Sequence, residues 1–479
     1  MVGKENLYIN GINGISGEYL VSPLEYNQLA RFIKNEQFDS TFISWLKRIW
    51  RTLSQPHLGL PWNVEPTNIH QAGWGIVFYT DEERAVKDAM MPLIEHRRRQ
   101  VGDDTKVKIL DYRNGEEYFD WLARYRVGTG SIDPTKIPYY LLLIGSPAHI
   151  PFSFGHLLNM EYAVGRLHFD HPSAYADYVA SLISYESSDK LPNAKEAVFF
   201  ATRHSFDRAT QLSADMLVNP LAEGDQLVEP NSLTNGGFTI RKVWGNAATK
   251  RALSETLAPG KGVKSPAFLF TATHGIGLPR GDIRQLTVNG ALLCQDWPGF
   301  GTVSSDHYFA GSDIPLSARV HGMITFHFAC YGAGTPSHNR FFYKAGEPPP
   351  LIADRPFIAA LPKDLLTHRQ GGALACIGHV ERAWGYSFIT PKAGPQLQPF
   401  RNAISRILSG EPVGHAMKDF KERYVFLSTR LSSLLEKLNY DPTAVSDRDL
   451  ARNWIERNDA ESYIIVGDPA VHLRVNDFE

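Results

Sequence analysis

The chain has 479 residues, of which 43% are hydrophobic and 21% charged, and its formal net charge is −2. This length exceeds what one hydrophobic core usually accommodates, so we expect two α/β halves plus additions. The composition is that of an ordinary globular protein and argues against long disordered segments. Because acidic and basic residues nearly balance, there is no electrostatic basis for nucleic acid as the main partner.

The three cysteines, Cys294, Cys330 and Cys376, form an odd and sparse set. Such a set argues against a disulfide framework and favours a reducing compartment. The first residues lack the apolar core of a signal peptide. No apolar run approaches the roughly 20 residues that span a bilayer. We therefore expect a cytoplasmic protein without a membrane partner.

Residues 1–72 are the least informative part of the chain. The segment from Leu24 to Leu53 has helical spacing of its apolar residues, so an N-terminal helical extension is expected. Gly11, Gly14 and Gly17 form a GxxGxxG string. It neither follows a clear strand nor opens a helix, which argues against a nucleotide-binding loop.

From residue 73 to 190, strand and helix patterns alternate, which is typical of a parallel sheet with right-handed crossovers. Asp81 is the expected N-cap of the first helix, and Arg97–Arg99 ends it, where these charges suit the helix dipole better than a phosphate site. A charged stretch at 187–196 is the best internal boundary. The expected strands are 75–79, 106–112, 139–145 and 162–166, and the expected helices 81–99, 116–126 and 172–186.

The alternation restarts after this boundary and continues through residues 191–479. Asn246 is a candidate N-cap for the helix at 247–257. Two long loops, 276–320 and 332–361, are of the length often found in lids and binding walls. Besides the two segments described next, the expected strands are 197–202, 239–243, 372–378 and one that begins at 462, and the expected helices 207–217, 247–257, 395–409 and 413–437.

Two apolar segments of strand length, Ala267–Gly275 and Met323–Gly332, each stop at a reactive residue close to a glycine. Apolar runs without alternation suit buried parallel strands, and ligands bind beyond the carboxyl ends of such strands. His274 and Cys330 should therefore lie side by side, as a nucleophile and its base require. Gly275 lacks a Cβ, so its N–H and that of Cys330 could form an oxyanion hole.

Several other polar residues have weaker claims to a role. His327 precedes Cys330 by three positions, so in a strand it faces the opposite side and is best interpreted as a buried, hydrogen-bonded histidine. Asp282, Asp306 and Asp313 lie in the first long loop, and one of them could orient His274 or line a substrate groove. His168, Asp170 and His171 form a cluster, but nothing at zinc spacing completes it, so neither a metal nor a cofactor is expected.

Taken together, the His274–Gly275 and Ala329–Cys330 strand ends resemble those of caspase-like cysteine proteases, most closely the gingipain family and the bacterial CHAT proteases. Other segments resemble gingipain motifs and follow in the same order: Tyr140–Gly145, Glu161–Arg166, Ile183–Glu186 and Ile465–Ala470. The resemblance extends over roughly residues 73–475.

The resemblance implies that His274 is the catalytic histidine, that Cys330 is the nucleophile, and that Gly275 contributes to the oxyanion hole. It implies a caspase-like three-layer α/β sandwich with a mostly parallel sheet. Residues 73–190 would be a related non-catalytic half, and residues 191–479 the catalytic domain.

Glu381 and Trp384 fall where caspase-like proteases often build the wall of the pocket for P1, the residue on the acyl side of the scissile bond. Asp306 is a further candidate for substrate binding. Two departures from the family patterns argue against Arg or Lys at P1. The acidic pocket residue of Arg-specific gingipains aligns with residues 156–158, and the Asp of metacaspases aligns with Phe328.

The sequence therefore predicts a cysteine endopeptidase that performs limited proteolysis of a protein or peptide substrate. By analogy with CHAT proteases it would activate a partner effector in bacterial defence or cell death. A catalytically silent interaction module is the alternative, although such a module has no need of both His274 and Cys330. A cysteine-dependent amidase or acyltransferase acting on small molecules shares the chemistry but not the long loops.

Overall fold

The computed structural model describes residues 6–35, 60–61, 63–130, 132–224, 233, 236–339, 348–385, 387–390 and 394–478. Its strands are β1 (Asn6–Leu7), β2 (Ile12–Asn13), β3 (Leu24–Glu25), β4 (Trp74–Tyr79), β5 (Val107–Tyr112), β6 (Tyr140–Ile144), β7 (Ala163–Leu167), β8 (Asn193–Ala201), β9 (Thr239–Trp244), β10 (Ser265–Ala272), β11 (Ile276–Gly277), β12 (Leu292–Leu293), β13 (Tyr308–Phe309), β14 (Ile324–Phe328), β15 (Gly334–Thr335), β16 (Phe357–Ile358), β17 (Ala375–His379), β18 (Ile389–Thr390), β19 (Gly394–Pro395) and β20 (Tyr463–Gly467).

The α-helices within the same residues are α1 (Tyr26–Asn35), α2 (Ile69–Ala72), α3 (Arg84–Val101), α4 (Tyr118–Arg124), α5 (Phe152–Leu158), α6 (Pro172–Ser187), α7 (Arg208–Ser213), α8 (Asn219–Glu223), α9 (Lys250–Leu257), α10 (Gln285–Val288), α11 (Ala360–Leu366), α12 (Gln398–Leu408), α13 (Val413–Ala416), α14 (Lys418–Tyr440) and α15 (Asp447–Ser462). A short π-helical turn, Ala214–Val218, joins α7 to α8. Within the described residues, no helix has both the length and the apolar character needed to cross a bilayer.

A single ten-stranded sheet runs through the molecule in the order β5-β4-β6-β7-β20-β17-β14-β10-β8-β9. Neighbouring strands pair in parallel, apart from β17 and β20, which are antiparallel. The sheet therefore consists of two parallel blocks that point in opposite directions. The carboxyl ends of β8, β10, β14 and β17 meet at one edge. The predicted α/β class with a mostly parallel sheet is confirmed.

Helices cover both faces of the sheet. Consecutive residues of a strand point to opposite faces, and Thr325 and Phe326 in β14 do so. The ring of Phe326 lies 6.1 Å from those of Phe400 in α12 and Phe420 in α14. Thr325 is paired with Cys376, whose sulfur lies 4.0 Å from the carbonyl oxygen of Pro362 in α11. Helices α12 and α14 thus pack on one face and α11 on the other, which gives the expected three layers.

Arg97 joins the two parts of the chain that the sequence suggested as separate halves. Its side chain is buried in α3 and donates from Nε to Asp468, just beyond β20, at 2.8 Å. Its two terminal nitrogens donate to Glu186 in α6 at 2.8 and 2.9 Å. Burial alone would raise the pKa of Glu186, but Arg97 and His96 lower that pKa to about 2. The prediction that Arg97–Arg99 complements the helix dipole therefore does not describe Arg97, whereas Arg98 and Arg99 lie in the last turn of α3.

The structure also differs from the sequence-based elements near the N-terminus. Residues 6–25 contain short strands and turns rather than helix, since their apolar residues pair with distant segments. Helix α1 covers Tyr26–Asn35 of the predicted helical stretch, and residues 36–53 lie outside the described residues. The boundary predicted at 187–196 falls where the chain passes from one parallel block to the other.

Further differences concern caps, loops and one helix. The caps of α3 and α9 are Glu83 and Thr249, not Asp81 and Asn246. The expected loop 276–320 contains β11, α10, β12 and β13, elements too short to show a period in sequence. Helix α15 was not predicted because its sequence is rich in charged and polar residues, which weakens the apolar stripe of a helix.

We expect the Arg97→Met substitution to leave the carboxylates of Glu186 and Asp468 buried without their cation. Removing one partner of a buried ion pair costs roughly 3–5 kcal/mol, so the free energy of unfolding in urea at neutral pH should fall by about that amount. Arg98→Met is the matched control, because Arg98 is 38% exposed and pairs with Glu95 at the surface. Its effect should stay below about 1 kcal/mol. Equal losses in both variants would contradict the role of Arg97.

Candidate active site

Strands β10 and β14 bring the two predicted catalytic residues to one edge of the sheet. They pair in parallel with Ala272 opposite Phe328. His274 and Cys330 each follow these partners by two positions, so they leave the sheet at the same level. Both side chains are fully buried. His274 and Cys330 therefore lie at the same edge and level of the sheet, as the sequence predicted. Their catalytic roles stay a prediction.

An acidic residue from the neighbouring strand end holds the imidazole ring. Nε2 of His274 lies 2.7 Å from Oδ2 of Asp207. Asp207 is also the N-cap of α7 and accepts from the main-chain N–H of Thr210 at 3.2 Å. The hydroxyl of Tyr19 donates to its other oxygen, Oδ1. Since a carboxylate only accepts, Nε2 carries a proton and Nδ1 is left as the acceptor in neutral His274.

The charge state of Asp207 follows from these contacts. Burial alone would raise its pKa, but the neighbouring His274 and the hydrogen bonds from His274, Tyr19 and Thr210 hold that pKa below its ordinary value. Burial and the Asp207 carboxylate in turn raise the pKa of Tyr19. The site therefore contains an ionised carboxylate beside the imidazole and a neutral phenol that supports it.

The N-terminal segment, residues 6–25, enters the space between the two catalytic candidates. The main-chain N–H of Gly11 donates to Nδ1 of His274 at 2.7 Å. The thiol of Cys330 donates to the carbonyl oxygen of Asn10. The peptide bond between Asn10 and Gly11 thus lies between imidazole and sulfur.

Main-chain pairing on both sides holds this segment in place. The N–H of Asn10 donates to the carbonyl oxygen of Ala383 at 3.1 Å, and Ile9 forms an antiparallel bridge with Trp384. On the other side, β2 pairs in parallel with β11. The site therefore accommodates an extended polypeptide that runs past His274 and Cys330.

The covered thiol is not in a reactive state. Burial raises the pKa of Cys330 to about 12, although a hydrogen bond from Ala383 opposes this. That bond runs from the main-chain N–H of Ala383 to Sγ at 3.2 Å. Because the thiolate is the nucleophilic form, Cys330 is protonated and shielded while the N-terminal segment is in place.

The backbone around Cys330 requires a glycine at position 275. A Cβ on Gly275 would lie 1.8 Å from the carbonyl oxygen of Cys330, so no other residue fits. Tyr331 has a φ of +57°, an uncommon value for a residue with a side chain, and its N–H donates to the carbonyl oxygen of Glu381 at 2.9 Å. Such conformations occur often at functional sites. The N–H groups of Gly275 and Cys330 remain the predicted oxyanion donors.

The three candidates for substrate binding lie in different places. Glu381 accepts from Nη1 of Arg382 at 3.0 Å, and its carbonyl oxygen accepts from the N–H of Tyr331, the residue after Cys330. Trp384 is buried, and its main chain borders the N-terminal segment at Ile9. Asp306 is exposed on the short turn Ser305–His307. The first two therefore border the cleft region, and the substrate-binding role of all three stays a prediction.

Sequence reasoning missed Asp207 and the N-terminal segment. It sought the orienting acid among Asp282, Asp306 and Asp313, but Asp282 pairs with Arg284 and Asp313 with Lys250, both at 2.7 Å. The available signal for Asp207 was that it follows β8, whose carboxyl end lies at the same edge.

Two remaining questions from the sequence concern a buried histidine and metal ligands. His327 is buried and its Nδ1 lies 2.9 Å from the hydroxyl of Thr271, in agreement with the predicted hydrogen-bonded core histidine. Within the described parts of the chain, no three His, Cys, Asp or Glu side chains gather in a way that could hold a metal ion.

The chain matches the model of one protein family. The model of "Peptidase family C25" matches residues 76–474. Among solved structures, the chain is similar to the complex of the pro- and mature domains of Porphyromonas gingivalis RgpB, with 12% identity, coverage of 84% of this chain and 80% of that chain, and a TM-score of 0.44. No curated protein sequence matches the chain.

Two further structures are similar at the same low level of identity. One is the Arg-specific cysteine proteinase gingipain R (RGPB), with 13% identity, coverage of 84% and 79% of the two chains, and a TM-score of 0.42. The other is the separase–securin complex of Saccharomyces cerevisiae, with 11% identity, coverage of 93% of this chain but 23% of that chain, and a TM-score of 0.31.

We expect Gly11→Ala to uncover Cys330. Gly11 has a φ of +130°, and a Cβ there would lie 2.7 Å from Leu20 Cδ1 and 2.9 Å from Cys330 Sγ. The segment should shift away, so the rate at which iodoacetamide alkylates Cys330 should rise at least tenfold, measured by peptide mass spectrometry on protein of verified full-length mass. Ile15→Ala is the control, because Ile15 is 49% exposed in the same segment. Unchanged alkylation in Gly11→Ala would contradict this shielding.

Proposed function

Because this chain belongs to peptidase family C25 and is a cysteine endopeptidase acting on proteins, we propose that Cys330 is its nucleophile and His274 its general acid and base, with Asp207 orienting the imidazole. One observation carries the proposal. Nδ1 of His274 and Sγ of Cys330 contact the two sides of one peptide bond, the nitrogen side and the carbonyl side. The imidazole and the thiol are thus both held against one peptide group, within reach of an amide on which a base and a nucleophile could act.

Cleavage proceeds through a thioester. The sulfur of Cys330 attacks the carbonyl carbon of the substrate while its proton passes to Nδ1 of His274. The C–N bond breaks, and His274 gives that proton to the departing nitrogen, which leaves as an amine. Water, deprotonated by His274, then adds to the thioester, and the thiol re-forms as the carboxylate product leaves. The N–H groups of Gly275 and Cys330 would stabilise the oxyanion.

Asp207 acts through the histidine. Its carboxylate accepts from Nε2, which fixes the ring so that Nδ1 faces the reacting bond. When His274 is protonated during catalysis, the buried negative charge stabilises the imidazolium form. The hydrogen bond from Tyr19 comes from the N-terminal segment, so this part of the support depends on that segment.

The alternatives are less well supported by the geometry. A silent interaction module has no need of an imidazole held by an acid and aimed at a thiol. A small-molecule amidase has no need of an extended cleft, whereas here main-chain pairs flank the reacting position on both sides, at Trp384 and at Gly277. This pairing favours a polypeptide substrate. Activation of a partner effector in bacterial defence and a cytoplasmic location stay predictions from the sequence.

We expect Cys330→Ala to abolish proteolysis, because no sulfur remains to form the thioester. New N-termini generated in a cell lysate by the wild-type and variant proteins would be mapped by mass spectrometry. Cys376→Ala is the matched control, since Cys376 is also a buried free cysteine but lies within β17. It should retain activity within about threefold. Activity of Cys330→Ala equal to that of the wild type would refute the nucleophile.

Asp207→Asn should lower kcat by about 10–100-fold with little change in KM, because an amide keeps the hydrogen-bond geometry but not the charge. Asn is itself a good N-cap, so stability should change little. Asp215→Asn is the control, as Asp215 pairs with Arg203 at the surface. An unchanged kcat in Asp207→Asn, or a loss carried by KM alone, would leave Asp207 without the proposed role.

A further inference from the structure

Helix α15 contacts the wall of the cleft through one buried acid, Asp459, which has no part in the chemistry described above. Oδ1 of Asp459 accepts from the main-chain N–H of Trp384 at 3.1 Å. Nε2 of His379, the last residue of β17, lies 3.2 Å from the same oxygen. Because a carboxylate only accepts, both nitrogens donate. One oxygen thus binds the end of β17 and the chain that follows it.

The dipeptide Ala383–Trp384 connects this acid to the sulfur. The N–H of Ala383 donates to Sγ of Cys330 at 3.2 Å, and its carbonyl oxygen accepts from the N–H of Asn10 at 3.1 Å. The next N–H, that of Trp384, is the one that Asp459 accepts. The dipeptide therefore contacts the sulfur, the extended chain in the cleft and α15. A shift of the dipeptide would move that extended chain relative to the sulfur.

The same helix also contacts the side chain of Trp384. The ring centroids of Trp384 and Trp454 lie 6.1 Å apart, edge to face. Both residues belong to a buried apolar cluster that contains Ile9, the residue that bridges Trp384 from the N-terminal segment. The extended chain thus places an apolar side chain in this cluster, one residue before the carbonyl group that contacts Cys330.

We propose that Asp459 is a positioning residue of the peptidase, which fixes Trp384 and so sets the register of an extended substrate against Cys330. This inference rests on the proposed function, because it assigns Cys330 as the nucleophile. It also narrows the substrate class. The enzyme should favour peptides with an apolar residue at the second position before the scissile bond, the position that corresponds to Ile9.

The cleft needs the acceptor oxygen at position 459 rather than its negative charge. Burial raises the pKa of Cys330, and the charges of Glu381 and Asp459 act in the same direction. Because the thiolate is the nucleophilic form, a charge at 459 opposes the chemistry. The amide oxygen of asparagine can accept from the same two donors. Asp459→Asn should therefore keep Trp384 in place, whereas Asp459→Ala should release it.

The first experiment treats the full-length protein with iodoacetamide and compares two cysteines in the same molecules by peptide mass spectrometry. Cys376 is the internal reference, because it is buried within β17 and reports a general opening of the fold. Asp459→Ala should raise the alkylation rate of Cys330 relative to Cys376 at least about fivefold, the effect of one buried hydrogen bond. Asp459→Asn should match the wild type. Asp447→Ala is the control on the same helix, as Asp447 pairs with Lys34 at the surface.

The second experiment maps new N-termini in a cell lysate and compares the residues that precede each cut. Selectivity among competing substrates does not depend on how tightly the N-terminal segment covers the cleft, since every substrate meets the same competitor. The wild type and Asp459→Asn should favour an apolar residue at the second position before the bond. Asp459→Ala should weaken this preference at least about threefold, again through one lost hydrogen bond. Partial unfolding alone would reduce the number of cuts but keep their pattern.

Several results would overturn the inference. An unchanged ratio of alkylation at Cys330 and Cys376 in Asp459→Ala would make Asp459 a general structural residue or one without effect. Equal exposure of Cys330 in Asp459→Asn and Asp459→Ala would show that the acceptor oxygen is not what holds the dipeptide. Cuts without an apolar preference, or with one that Asp459→Ala retains, would exclude the assigned substrate class and leave the proposed function standing.

Failure of the proposed function gives a different result. Wild-type protein that cleaves no lysate protein would remove the peptidase assignment. The alkylation ratio needs no activity, so it alone would then decide whether Asp459 holds the wall of the cleft beside Cys330.

Discussion

Parallel pairing of β10 with β14 is the constraint on which the proposed chemistry of this protein depends. It places His274 and Cys330 two positions beyond a paired set of residues, at one edge and at one level. The two strand exits approach so closely that a Cβ at position 275 would overlap the carbonyl oxygen of Cys330. Glycine therefore follows the histidine for a steric reason.

The N-terminal segment, which covers the cleft, determines whether the thiol of Cys330 is accessible. With the N-terminal segment in place, both imidazole nitrogens have partners and the sulfur is buried, which raises its pKa to about 12. The segment also supplies the Tyr19 hydroxyl that binds Asp207. One stretch of chain thus covers the sulfur of Cys330 and also binds the carboxylate that holds His274. Loss of this stretch would change accessibility, desolvation and hydrogen bonding together.

The sequence predicted the parts of the site that are encoded locally. Apolar runs that end at a histidine and a cysteine identify strand exits, and the sheet they imply makes them neighbours. Asp207 was missed because it follows the strand by several residues and lies 67 positions from His274. Gly11, Gly14 and Gly17 were noticed, but no local motif explained them. Position 11 needs a glycine because a Cβ there would lie 2.9 Å from the sulfur of Cys330, some 320 positions further along the chain. Only the folded chain shows this contact.

The reversal between β17 and β20 explains why the proposed active-site residues come from one block of the sheet. The strands on either side of this antiparallel pair point in opposite directions. The carboxyl ends of β4 to β7 therefore lie at the edge of the sheet away from His274 and Cys330. Their motifs serve the structure instead: Glu186 and Asp468, from the family-like segments, both bind Arg97. This buried ion pair anchors β20, and β20 supports β17, whose exit carries Ala383 and Trp384.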